Sequence, residues 1–163
     1  MRQNSAHDLV ALLNSKELRI RTGVLEIPPS DLGMEKEMAI ALETGYCNLC
    51  EWRLARISSG QRTLDLRWEQ ILADLQDVVT CPEVFGASVL VSGIDALLAG
   101  TGFEGRKDFW KFTWETFRPE KGLILTLPSG ATNLFPEELR RHWEQNERLY
   151  TLQDLDEVFA RLK

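Results

Sequence analysis

Ala87-Ser88-Val89-Leu90-Val91-Ser92-Gly93 and Leu123-Ile124-Leu125-Thr126-Leu127 decide the fold of this chain. Each is a short apolar run rich in β-branched or leucine side chains, stopped by glycine or by Pro128-Ser129-Gly130. Neither alternates with polar residues, so neither suits a sheet with one wet face. Such runs read as central strands buried on both sides, which in soluble proteins means a parallel sheet covered by helices.

Working outward, every such strand is separated from the next by a helical pattern. Ser5 to Ser15 carries Leu9, Val10, Leu12 and Leu13 on one side, with Ser5 and Asp8 as an N-terminal cap. Residues 18–27 read as a strand with a bend at Gly23, and Pro28-Pro29-Ser30-Asp31 stops it. A helix over 32–44 follows, closed by Gly45, and a second strand is expected over 46–54. Ser58 to Arg62 reads as a loop, followed by a helix with Trp68, Ile71, Leu72, Leu75 and Val79 at helical spacing, ended by Cys81-Pro82. A helix over 106–117 joins the two central strands. Pro136 opens a charged helix to about Asn146, residues 148–152 give a last short strand, and 153–163 a closing helix. Alternation of this kind predicts one α/β domain over 1–163: a three-layer, Rossmann-like or P-loop-like fold with about five mostly parallel strands.

The composition is that of a globular protein: 163 residues, 44% apolar and 27% charged. No run is long enough to span a membrane, and residues 1–8 turn polar and acidic where a secretory leader needs an apolar stretch. Three cysteines, Cys47, Cys50 and Cys81, show no framework spacing. Both observations lead us to expect a cytoplasmic protein. A net charge of −6 disfavours binding a phosphate backbone with the whole surface, although Arg53, Arg56, Arg62 and Arg67 form a local basic strip.

Ligands of open α/β sheets bind at the carboxyl ends of the strands. Ser30, Asp95 and Ser129 follow three of those ends and are the candidate ligand-binding residues. The segment from Ile27 to Lys36 stands where a phosphate-binding loop belongs, but it has one glycine, no Gly-Lys-Ser/Thr, and acidic Glu35 and Glu37. Asp95 follows Ser92-Gly93 rather than closing the strand as an acidic pair, and it suits a helix cap. Cys47-Asn48-Leu49-Cys50 lacks the second pair a structural zinc site needs, and on a strand its two thiols would point to opposite faces. His7 and His142 stand apart from any nucleophile pattern. No catalytic or metal residue and no cofactor follows from these patterns.

The most unusual stretch is 108–117, with Phe109, Trp110, Phe112, Trp114 and Phe117: five aromatic residues in nine positions. On a helix these cover an arc of about 200°, against the roughly 100° stripe a helix buries on one sheet. One reading presents part of this surface to a protein partner; the other sinks the helix in the core beneath a further helix. Arg140, Arg141 and Trp143, in the charged helix, extend the candidate interface.

Several of these segments together carry a resemblance. The strand ending in Pro28-Pro29, the strand before the Trp68 helix, Leu90-Val91-Ser92-Gly93-Ile94-Asp95-Ala96-Leu97-Leu98, Phe109-Trp110, and Leu123-Ile124-Leu125-Thr126-Leu127-Pro128 follow one another in order. That succession resembles a degenerate AAA-type ATPase fold without a working nucleotide loop. It is also similar to the small BrxB-type accessory subunits of bacterial phage-exclusion (BREX) systems, over roughly residues 18–152. It departs from their Pro-Gly ending, because Ser129 separates Pro128 from Gly130. The resemblance implies a non-catalytic subunit that bridges larger proteins in a defence complex. The expectation is therefore an adaptor binding larger protein subunits. The alternatives are a small-molecule or nucleotide enzyme using Ser30, Asp95 and Ser129, and a nucleic-acid accessory protein using the arginine strip.

Overall fold

The computed structural model describes residues 5–15, 17–57, 60 and 65–159. Its five strands are β1 (Thr22–Ile27), β2 (Gly45–Asn48), β3 (Ser88–Ser92), β4 (Gly122–Pro128) and β5 (Leu149–Thr151). They form one sheet in the order β2-β3-β4-β1-β5, and every neighbouring pair is parallel. The two runs that decide the fold lie side by side, with Leu90 opposite Ile124 and Val91 opposite Leu125.

Because side chains alternate across a strand, the apolar runs feed two cores. Val89, Val91, Leu123, Leu125 and Leu127 face one layer, and Leu90, Ile124, Leu25 and Ile27 the other. The first layer is built from α3 (Leu49–Leu54), α4 (Trp68–Thr80), α5 (Ile94–Ala99), α6 (Gly102–Glu115) and α7 (Glu137–Gln145). The second holds α1 (Ala6–Leu13), α2 (Glu35–Ala41) and α8 (Asp156–Phe159). The connection from β1 to β2 runs the opposite way along the sheet from the other three and carries its helix on the opposite face. A single hand of crossover requires that arrangement. Among the described residues no helix is long and apolar enough to cross a membrane.

Local chemistry sets the boundaries, and several differ from the sequence expectation. The strand expected over 46–54 ends at Asn48, whose Oδ1 accepts from the Glu51 amide at 3.1 Å and caps α3. The helix expected over 106–117 is α6, which begins earlier, at Gly102, and a further short helix, α5, starts directly after Gly93. Gly93 has φ +79°, and a Cβ there would lie 2.7 Å from Asn48 Oδ1. Gly45 does not close α2. Glu43 takes the left-handed position at φ 57°, with Thr44 N donating to Ala39 O and Glu43 N to Ile40 O, a Schellman ending. Gly45 is needed for close approach instead, since a Cβ would sit 2.1 Å from the Phe85 carbonyl oxygen. The expected loop at 58–62 lies, apart from Gly60, outside the described residues, as does the end of the closing helix beyond 159.

Candidate functional site

The aromatic helix answers its own question. Phe109 and Trp110 are 0% exposed, Phe117 is 8% exposed, and Trp143 on α7 is 0% exposed. The Trp110 indole stacks on Phe135 at 3.8 Å and 9°, meets Trp143 edge-on at 5.4 Å, and donates its N–H to Leu134 O at 2.8 Å. Phe109, Trp110, Phe117 and Trp143 are therefore core, and their reading as interface residues is corrected. The strand order places α6 between α4 and α7. Its apolar arc is wide because it packs on the sheet below and a helix on each side: Phe112 meets Trp68 of α4 at 5.6 Å, and Trp114 meets Trp143 of α7 at 5.2 Å. Phe112 is 37% exposed, and Trp114 is half-buried.

Arg140 is likewise tied inward. Its guanidinium reaches Glu26 Oε2 at 2.9 Å through Nε and Oε1 at 2.6 Å through Nη2, and Thr151 Oγ1 donates to Oε1 at 2.6 Å. Glu26 is 6% exposed on β1, so the pair fastens α7 to β1 and β5. The bond to Glu26 holds the Arg140 pKa above its ordinary value against the opposing effect of burial. Arg141 is exposed and pairs loosely with Glu137 at 3.6 Å.

At the carboxyl edge, the connections leaving neighbouring strands β1 and β4 run in opposite directions, which makes their boundary the switch point of the sheet. Ser30 and Ser129 stand on its two sides, and the Ser129 amide donates to Ile27 O at 2.8 Å. Asp95 sits one strand away in the first turn of α5, beyond β3, and no hydrogen bond joins the three side chains. Leu32 and Met34, 43% and 37% exposed, lie just beyond Ser30. This edge is poorly built for phosphate. Pro28 and Pro29 have no N–H, and the Gly33 amide is taken at 2.9 Å by the Glu35 carboxylate.

The cysteines do not lie on one strand as expected. Cys47 is on β2 and Cys50 in the first turn of α3, where its thiol donates to Gly93 O at 3.2 Å. Burial pushes both thiols up, Cys47 to about 11, the opposite of an activated thiolate. Among the described residues no group of three or more His, Cys, Asp or Glu side chains could hold a metal ion. The arginine strip is largely spent. Arg53 is buried against Asp74, Arg67 grips Asp65 at 2.6–3.1 Å, and the Arg56 guanidinium lies 3.2 Å over the Trp52 ring. Arg62 lies outside the described residues.

A depression of about 480 Å³ opens at the other, amino edge of the sheet, lined by Arg19, Ile20, Trp114, Glu115 and His142. Sequence reading named Trp114 alone among these as a candidate. His142 is exposed and meets the Trp114 ring edge-on at 4.6 Å. Helices α1, α6 and α7 all end at this edge, leaving carbonyls without intrahelical donors. Guanidiniums answer some of them together with nearby loop carbonyls: Arg21 donates to Leu13 O at the end of α1 and to Glu120 O, Arg118 to Trp114 O and Glu115 O of α6 and to Phe117 O, and Arg148 to Asn146 O after α7 and to Ile20 O. Compared with protein-family models, with curated proteins and with solved structures, the chain matches none.

Proposed function

We propose that the chain is a partner-binding domain, an adaptor that docks a larger protein through the depression at the amino edge of its sheet. The observation that carries this reading is the concave surface where half-buried Trp114 and exposed His142 meet Arg19 and Ile20. Tryptophan and arginine around a concavity are the residue types that dominate binding energy at protein interfaces. The resemblance to BrxB-type accessory subunits adds the expectation that the partners are larger enzymes of a phage-defence complex. The test is parallel affinity purification of the wild-type chain, Arg19→Glu and Trp114→Leu from its native cells. A chain that co-purifies with the wild type should be lost from both variants. Equal recovery with all three would overturn the assignment of the depression.

A second reading rests on the switch point, where Ser30 and Ser129 stand on either side of the β1–β4 boundary beside exposed Leu32 and Met34. It makes the carboxyl edge a small-molecule site. Proline and Glu35 occupy the places of phosphate-binding amides there, so an uncharged ligand suits it better than a nucleotide. Saturable thermal stabilisation by a compound, lost in Ser129→Leu, would favour this reading.

A further inference from the structure

We draw no further inference here: the strongest candidate, the apolar patch along the seam of α4 and α6 where exposed Phe112 meets Trp68 and exposed Leu66 packs on Gly100, is an unpartnered face, and nothing in the structure shows what covers it.

Discussion

Glu26 occupies β1, between β4 and β5, with 6% of its surface exposed, and three hydrogen bonds from Arg140 and Thr151 keep its charge tolerable there. Removing one partner of a buried pair costs about 3–5 kcal/mol, because the other charge stays buried alone. The Arg140 side chain is 25% exposed, so Arg140→Met should cost less, about 2–3 kcal/mol, read from the urea midpoint. Pairing it with Glu26→Leu should recover part of that loss. A second effect at this scale concerns protons. Burial raises the Cys47 thiol from 9.0 to about 11, and burial with the Glu157 bond raises the Tyr150 phenol from 10.0 to about 12. The folded chain thus keeps protons that the unfolded chain releases. Their contribution is complete below about pH 9 and fades as pH rises through the folded values. The urea midpoint should fall between pH 9 and 11, and less steeply in Cys47→Ala; a slope unchanged by that substitution would contradict the assignment. The sequence placed Cys47 and Tyr150 on the strands where they lie, but it put Cys50 on the strand of Cys47, and the bond from Tyr150 to Glu157 is a tertiary contact it does not contain. The cap signature Asn48 followed by Glu51, which ends β2, was nevertheless present to be read.

Among the elements, α6 shows how far a helical wheel can be trusted. Its roughly 200° apolar arc was legible, but what covers that arc depends on strand order, which a wheel does not contain. With α4 and α7 on either side, Trp110→Ala should destabilise the chain by about 3–5 kcal/mol. Phe112→Ala, at a side chain already 37% exposed, should cost well under half of that. Equal losses in thermal or urea unfolding would put the helix in a different setting. Helix endings carry a smaller prediction. Glu43 holds a left-handed conformation that glycine adopts without its steric cost, so Glu43→Gly should stabilise by up to about 1 kcal/mol. Gly45→Ala, two residues on, should destabilise sharply, because its Cβ would strike the Phe85 carbonyl. The sequence suggested glycine at the helix end, yet close approach of two backbones, a tertiary fact, is what demands it at position 45. The short helices α3 and α5, six residues each, escaped detection because they span too few turns to show a period.

For the whole molecule, the buried runs at 87–93 and 122–127 were enough to establish a covered parallel sheet, and the alternation of helices with strands gave the layers. The candidate ligand residues Ser30 and Ser129 follow the adjacent strands β1 and β4, on either side of the switch point. The depression at the opposite edge was not legible. It joins residues from before β1, from the end of α6 and from α7, and those segments meet only once β1 is set between β4 and β5. The partner-binding reading and the small-molecule reading therefore occupy opposite ends of the same sheet, and a position-specific probe separates them. A photo-activatable phenylalanine derivative placed at Glu115, and separately at Ser30, would be irradiated in cells and the products resolved by mass. Docking at the amino edge is expected to give a discrete crosslinked partner from position 115, diminished by Arg19→Glu, and none from position 30. A partner captured from position 30 and not from 115 would contradict it.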